Sequence, residues 1–172
     1  MQLTLMADRG VFSGSRVDPG TLSLLKESPH PPAAGDLLDL GCGYGPIACA
    51  LARRSPGATV WAVDVNSRAL ALTAANAATL GMPNLRAAGP DEVPTGVVFK
   101  GIWSNPPIKV GKDALHELLS TWLDRLDTGA GAWRVVNRHL GSDSLAEWLG
   151  RSGWAVRRAA SKSGYRVLEV TR

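Results

Sequence analysis

A glycine-rich segment near residue 40 combines residue types and spacing that could bind a nucleotide-like molecule. Asp39–Gly45 reads DLGCGYG, follows a short apolar run and precedes a stretch that begins with proline. Glycine lets the backbone turn sharply and approach a ligand without a clash from Cβ, and open α/β sheets bind ligands where a strand ends and a helix begins. The segment therefore predicts a cofactor site that includes Gly41, Cys42, Gly43 and Gly45.

An acidic residue at the start of this segment indicates the kind of cofactor. A dinucleotide site usually has G-x-G-x-x-G spacing and seats a pyrophosphate on the helix N-terminus. Here the spacing is G-x-G-x-G, and Asp39 stands just before it, where a carboxylate would repel a diphosphate. Asp39 suits a cofactor that carries an ammonium and a sulfonium, so S-adenosylmethionine is favoured over a nicotinamide dinucleotide.

Two further acidic residues are placed to contact the same cofactor. Asp64, followed by Val65, ends the second predicted strand, a position from which an acidic side chain accepts ribose hydroxyl protons. Asp91 follows the third predicted strand and could accept from an adenine amino group. A solvated strand end is the alternative for Asp64, and an ordinary Gly-Pro-Asp turn is the alternative for Asp91.

The segment Ser104–Ile108, SNPPI, indicates where a reaction takes place. Consecutive prolines cannot continue a central strand, and they fix a rigid corner that presents Asn105 beside the cofactor. The Asn105 side-chain carbonyl and the Pro106 backbone carbonyl can each accept an N–H bond of an exocyclic amine and turn its lone pair toward a methyl donor. Pro107 and Ile108 complete this catalytic segment, in which orientation and electrostatics replace a strong base. The alternative is a simple turn after a strand.

The elements that must position these residues alternate along the chain. Runs of β-branched apolar residues alternate with helical stretches from residue 36 onward, which predicts a doubly wound α/β fold with a mostly parallel sheet and helices on both faces. Asp18 and Pro19 are predicted to cap and open a first helix, and the last two strands, joined by Ser161–Gly164, to form an antiparallel hairpin. The predicted strands are 36–40, 59–64, 85–88, 101–104, 132–137, 154–160 and 165–171, and the predicted helices are 19–27, 46–54, 67–80, 112–126 and 142–150.

Length and composition predict a single globular domain. The 172 residues are enough for one well-filled core, with residues 1–35 as an N-terminal extension and first helix and 36–172 as the binding and catalytic core. No stretch approaches the roughly 20 apolar residues of a membrane span, and the N-terminus lacks a secretory signal pattern, so we expect a cytoplasmic protein. Cys42 and Cys49 are expected to be small buried fillers, and no Cys or His spacing predicts a metal.

The formal net charge of +4 is compatible with a nucleic-acid partner but discriminates poorly. Several basic residues are expected near the mouth of the site, where they could contact phosphates. A solvated surface charge is the alternative for each of them. These residues are Arg9, Arg16, Lys109, Lys112, Arg138 and Lys162. Tryptophans that fall within predicted elements are expected in the core; these are Trp61, Trp133, Trp148 and Trp154.

Taken in order, these motifs resemble those of the small-subunit (16S) ribosomal RNA guanine-N2 methyltransferases, most of all the compact single-domain members. The resemblance implies a Rossmann-like class I methyltransferase fold with seven strands, S-adenosylmethionine as the methyl donor, and ribosomal RNA or the small ribosomal subunit as the partner. It also implies that Gly41, Gly43, Asp64 and Asp91 bind the donor and that Asn105–Ile108 hold the target base. It covers about residues 10–170 and rests on Phe12-Ser13, Asp18-x-Gly20-Thr21, Asp39–Gly45, Asp64-x-Asn66, Asn105–Ile108 and Gly164–Val167.

Two departures from the family pattern bear on the substrate. Many relatives carry an aromatic residue after the prolines that can stack on a flipped base; this chain has Ile108, so stacking is expected from Phe12 or Tyr44. Many relatives also carry an additional N-terminal domain that helps select RNA, and its absence leaves room for an accessory RNA-binding partner. The predicted substrate contacts are Phe12, Arg16, Lys109 and Lys112.

Other acceptors and other roles stay open at this point. Asn-Pro-Pro is shared by enzymes that act on DNA amines, RNA guanine or a protein glutamine amide, and a small-molecule amine is a further candidate. A module that binds the donor without catalysis is a third alternative, disfavoured because Asp64 and Asn105 are both present.

Overall fold

The structure, a computed structural model, describes residues 3–8, 17–105, 111–139, 141–162 and 164–172. It confirms the predicted doubly wound α/β fold. The strands are β1 (Ala34–Leu40), β2 (Gly57–Val63), β3 (Leu85–Ala88), β4 (Phe99–Ser104), β5 (Gly131–Asn137), β6 (Ala155–Lys162) and β7 (Tyr165–Thr171). The helices are α1 (Pro19–Glu27), α2 (Pro46–Arg54), α3 (Ser67–Thr79), α4 (Lys112–Leu123) and α5 (Ser142–Arg151), and a short 3-10 turn, Pro90–Glu92, follows β3.

The strands form one seven-stranded sheet in the order β3-β2-β1-β4-β5-β7-β6. Strands β1 to β5 pair in parallel, whereas β7 runs antiparallel between β5 and β6. The predicted C-terminal hairpin is confirmed, and its second strand is the one that joins the parallel part of the sheet. Because parallel strands end at the same edge, the residues that follow β1, β2, β3 and β4 lie along one carboxyl edge.

Two hydrophobic clusters, one on each face of the sheet, fix the helices in place. Alternate residues of β1 point to opposite faces, so Leu37 packs with residues of α1, α2 and α3, whereas Leu38 packs with residues of α4 and α5. The predicted core tryptophans fit this arrangement. Trp133 is buried in the cluster that contains Leu37, and Trp61 in the cluster that contains Leu38. Trp148 and Trp154 are partly buried against the Leu38 cluster.

Several element boundaries differ from the sequence-based prediction. β1 begins earlier, at Ala34, because the chain there already pairs with β2. α4 ends at Leu123, short of the predicted residue 126, because Leu126 forms a bridge to Phe99 of β4. β6 continues to Lys162, which pairs with β7, so the turn of the hairpin is shorter than predicted. Strand pairing, which local sequence patterns do not report, sets all three boundaries.

Candidate active site

The glycine loop, residues 41–45, connects β1 to α2 at the carboxyl edge of the sheet. Gly41, Gly43 and Gly45 have positive φ angles of 77°, 57° and 89°, which side chains larger than hydrogen disfavour. Gly41 and Cys42 both donate their N–H to Val63 O, at 2.8 and 3.0 Å, so the loop is anchored to the end of β2. The glycine spacing therefore produces a sharp turn whose backbone carries no Cβ at three positions.

Two buried polar residues of α3 hold the glycine loop in position. Thr73 Oγ1 donates to Gly43 O at 3.0 Å, and Asn76 Nδ2 donates to Tyr44 O at 2.9 Å. Asn76 also accepts from Met6 N at 2.7 Å and donates to Met6 O at 2.9 Å. Sequence reasoning missed Thr73 and Asn76, although polar residues three positions apart on the apolar face of an alanine-rich helix were an available signal.

Asp39, near the end of β1, is fully buried against α2. Its Oδ2 accepts from Ala48 N at 2.9 Å in the first turn of α2, and its Oδ1 has no hydrogen-bond partner in the described part of the chain. Burial raises the pKa of Asp39 to about 8; the Ala48 N–H opposes this rise, and the nearby Asp64 carboxylate adds to it. The predicted acidic group is therefore a buried carboxyl, one oxygen of which has no hydrogen-bond partner among the described residues.

Asp64 directly follows β2 and braces the glycine loop. Its Oδ2 accepts from Gly43 N at 3.0 Å, and its Oδ1 accepts from Asn66 N at 2.9 Å. The residue is half-buried, and each carboxylate oxygen keeps a further lone pair for a ligand. Val65, the next residue, is 86% exposed. Asp64 thus fixes the loop and still presents acceptor capacity at the carboxyl edge.

Asp91 lies in the 3-10 turn that follows β3, with an exposed side chain. Because β3 pairs in parallel with β2, this turn is at the same edge of the sheet as Asp64. Asp91 lines an open groove of about 580 Å³ between the turn and α4, together with Glu117 and Arg125.

The two cysteines are buried free thiols, as predicted. Burial raises the pKa of Cys49 to about 12 and also raises that of Cys42, so both thiols stay neutral at neutral pH. Within the residues that the structure describes, no group of three or more His, Cys, Asp or Glu side chains could hold a metal ion. No helix in that same part of the chain is long and apolar enough to cross a membrane.

Asn105 directly follows β4, and its side chain reaches α1. Its Nδ2 donates to Asp18 Oδ2 at 2.9 Å and to Thr21 Oγ1 at 2.8 Å. Since a carboxylate only accepts hydrogen bonds, the amide nitrogen must face Asp18, and the carbonyl oxygen Oδ1 faces away from α1. Sequence reasoning predicted Asn105 and read Asp18 as a helix cap and as part of the family pattern, but it predicted no contact between the two residues.

The remaining predicted contacts are unequally placed. Lys112 is the exposed first residue of α4. Arg138 and Lys162 are exposed beside the start of β7, where Arg138 N donates to Gly164 O at 2.8 Å. The other predicted site residues lie outside the described part of the chain; they are Arg9, Phe12, Arg16, Pro106, Pro107, Ile108 and Lys109.

Comparison with known proteins identifies the family. A sequence profile of the methyltransferase small domain matches residues 2–169, nearly the whole chain. The chain belongs to the methyltransferase small domain family. This methyltransferase is 33% identical over 170 residues to the uncharacterized protein YbxB of Bacillus subtilis, and the aligned region covers 97% of the chain and 85% of YbxB.

Two further relatives carry functional names. Ribosomal RNA small subunit methyltransferase C of Shewanella loihica is 34% identical over 171 residues, covering 96% of the methyltransferase and 48% of that protein. The 16S rRNA N2 methyltransferase RsmC of T. Thermophilus, solved in complex with AdoMet and guanosine, superposes with a TM-score of 0.78 at 28% identity, covering 95% of the chain and 45% of RsmC. The chain therefore spans about half the length of these two named relatives.

The methyltransferase uses S-adenosylmethionine, and its residues fit that donor. Asp39 Oδ1, a buried oxygen without a hydrogen-bond partner among the described residues, suits a cationic donor group, because an unpaired polar atom is costly to bury. Asp64 keeps lone pairs for hydroxyl groups, and the three positive-φ glycines leave the loop backbone without a Cβ at those three positions. The predicted fold and cofactor are confirmed, whereas the role of each residue stays a prediction.

Proposed function

We propose that this methyltransferase transfers the methyl group of S-adenosylmethionine to the N2 amine of a guanine in small-subunit (16S) ribosomal RNA. The observation that carries the proposal is the orientation of Asn105, whose two amide hydrogens are bound by α1. Its carbonyl is left as the acceptor that an exocyclic amine requires. The relative from Shewanella loihica and the T. Thermophilus enzyme with bound guanosine support RNA guanine as the acceptor.

The glycine loop and its acidic neighbours hold the methyl donor in this proposal. Asp39 Oδ1 pairs with the ammonium group, Asp64 accepts from the ribose hydroxyls beside Val65, and Asp91 accepts from the adenine amine. When bound, S-adenosylmethionine supplies a methyl group on a positively charged sulfur, which makes the methyl carbon electrophilic. The backbone that approaches the donor belongs to Gly41, Cys42, Gly43 and Gly45.

Asn105 prepares the acceptor amine and borders the donor. The lone pair of an exocyclic amine is delocalised into the base, so the nitrogen is a poor nucleophile. A hydrogen bond from this amine to Asn105 Oδ1 favours a pyramidal nitrogen and stabilises the positive charge that develops on it. The proton then leaves to solvent, and no strong base is required. Pro106, Pro107 and Ile108 keep their sequence-based roles as the second carbonyl acceptor and the walls around the base.

Exposed cations near the carboxyl edge are the proposed phosphate contacts. Arg138 and Lys162 form no ion pair with any acidic residue that the structure describes, and Lys112 is exposed at the start of α4. Other arginines of the neighbouring strands are already paired with acidic side chains, namely Arg157, Arg158 and Arg166. We further propose that residues 1–172 act as one domain and that an accessory partner assists RNA selection.

The proposal is tested by transfer of labelled methyl from S-adenosylmethionine to purified small ribosomal subunits and, in parallel, to their extracted RNA. Digestion to nucleosides should yield labelled N2-methylguanosine, and the preferred form should reveal whether the folded subunit is needed. Label in DNA, in a protein amide or in no substrate, despite measurable donor binding, would overturn the RNA assignment.

The same assay tests Asn105. Asn105→Ala should lower turnover by about 100-fold or more, the scale expected for a lost transition-state hydrogen bond, because the amine loses its acceptor. Calorimetry should find donor affinity within about threefold of wild type, since Asn105 contributes little to holding the donor. Equal loss of turnover and donor binding would indicate misfolding and remove this role.

A further inference from the structure

The side chain of Asn105 is held by the start of α1. Asp18 caps this helix, and its Oδ2 accepts from Thr21 N at 3.0 Å and from Asn105 Nδ2 at 2.9 Å. Thr21, only 4% exposed, accepts the other Asn105 hydrogen on Oγ1 at 2.8 Å. Both hydrogens of one amide nitrogen are therefore bound by a single helical turn.

Tyr165 and Gly20 complete the contacts around Asp18. The Tyr165 hydroxyl donates to Asp18 Oδ1 at 3.5 Å. Burial, and to a smaller extent the Asp18 charge, raises the pKa of Tyr165, so the hydroxyl keeps its proton and stays a donor. A Cβ on Gly20 would lie 2.7 Å from Asp18 Oδ2 and 2.9 Å from the Tyr165 ring, closer than real Cβ contacts. Glycine at position 20 thus allows Asp18 to reach Asn105 and Tyr165 together.

We propose, resting on the proposed function, that Asp18 and Thr21 are positioning residues that fix the Asn105 carbonyl as the acceptor for the target amine. If the amide flipped, Asn105 would present N–H groups to the N–H groups of the amine. A flip would also place Oδ1 against the Asp18 carboxylate, which has no hydrogen to donate. The α1 network therefore selects one of the two amide orientations.

The charge of Asp18 also acts on Asn105 electrostatically. An anion bound to an amide N–H shifts electron density toward the amide oxygen, and linked hydrogen bonds strengthen one another where the dielectric is low. The bond between the amine and Asn105 Oδ1 gains strength as the nitrogen becomes positive during methyl transfer. Loss of the network should therefore lower kcat more than it raises KM.

Three conservative variants separate charge, acceptor and shape. Asp18→Asn keeps the shape and an acceptor but removes the charge; Thr21→Val keeps the shape but removes the hydroxyl; Thr21→Ser restores a hydroxyl. We expect kcat to fall roughly 10- to 100-fold in Asp18→Asn and Thr21→Val, the scale of one lost hydrogen bond, and Thr21→Ser to recover most of it. The KM for RNA and the Kd for S-adenosylmethionine should change less than about threefold.

Ser28→Ala is the matched control. It removes a buried hydrogen bond at the other end of α1, where Ser28 Oγ accepts from Trp103 Nε1 at 3.0 Å, and it does not touch Asn105. Its kcat should equal that of wild type. Wild-type kcat in both Asp18→Asn and Thr21→Val, or an equal loss in Ser28→Ala, would overturn the positioning role.

A spectroscopic readout makes the test independent of the acceptor. The two side-chain N–H signals of Asn105 in ¹⁵N-labelled protein, assigned by their loss in Asn105→Asp, should exchange slowly with water. Thr21→Val should shift mainly one of them and Asp18→Asn mainly the other, whereas unchanged signals in both variants would overturn the network. If these signals respond as expected but wild type methylates no RNA, the proposed substrate fails and the positioning role stands.

Discussion

Asp39 lies in surroundings that a carboxylate ordinarily avoids. It is a carboxylic acid with no exposed surface, and among the described residues its one hydrogen bond comes from Ala48 N. Desolvation disfavours the ionised form, which is the main cause of its pKa of about 8. The protein without a bound donor therefore holds a largely neutral Asp39 at neutral pH, and its stability must depend on pH.

The sign of this dependence follows from proton uptake. An unfolded Asp ionises near pH 3.9, so between about pH 4 and pH 8 the folded state holds a proton that the unfolded state has lost, and stability falls as pH rises.

Asp39→Asn should therefore be more stable than wild type at pH 8, by about 2 kcal/mol or more, and about equally stable at pH 4.5. Urea unfolding at both pH values without donor measures this. Asp36→Asn, on the same strand but half-buried, is the control, and an equal gain for Asp39→Asn at both pH values would contradict the assignment.

At the scale of elements, α3 determines the shape of the glycine loop. Thr73 and Asn76 point into the structure and bind the carbonyls of Gly43 and Tyr44, so the loop is supported by a helix that follows it in sequence. Asn76 also binds the backbone of Met6, which joins the N-terminal segment to the same support. We infer that the loop is shaped before any donor binds.

This support predicts separate effects for two matched variants. Asn76→Ala leaves the hydrogen-bonding groups of Tyr44 and Met6 without partners, so it should lower the free energy of unfolding by about 1–3 kcal/mol and weaken donor binding as the loop loosens. Asn84→Ala likewise removes a side chain that makes three hydrogen bonds to backbone groups, in this case three carbonyls, but ahead of β3, at the opposite edge of the sheet. It should cause a similar loss of stability with unchanged donor affinity. Calorimetry with urea unfolding measures both, and equal donor affinity in the two variants would remove the proposed role of Asn76.

At the scale of the whole molecule, exposed cations lie at both edges of the sheet. The exposed Arg138 and Lys162 lie at the carboxyl edge with Asn105, where β5 ends and β7 begins. Lys26 and Arg53 are exposed in the last turns of α1 and α2, which end away from that edge. An RNA whose target base reaches Asn105 would pass the first pair and not the second.

Paired variants of equal charge test this geometry. Replacing Arg138 and Lys162 with Gln should reduce the slope of log binding constant against log salt by about 1 to 2, since each phosphate contact contributes a little under one. The same change at Lys26 and Arg53 should leave the slope unaltered. Filter binding of small-subunit RNA at several salt concentrations gives both slopes, and equal slopes in the two double variants would place the RNA on another surface.

The sequence by itself determined the order of the elements and the kind of cofactor, because both depend on residues close together in the chain. Asp18 followed by Pro19 favours a helix start through local chemistry alone, and the glycine spacing with Pro46 specifies a tight turn into α2. Asn105 was predicted for a similar reason, since prolines after a strand end that strand and expose the residue before them.

Only the tertiary structure decided which distant residues meet at the site. Asn105 is 87 residues from Asp18, and Asn76 is 70 residues from Met6, and nothing in local periodicity reports such pairs. The burial of Asp39 likewise depends on how α2 packs against β1, and the place of β7 between β5 and β6 depends on the order of strands in the sheet. Contacts of this kind are set by the packing of all elements at once, because each side chain finds its partners only after the sheet has brought separate segments to one edge.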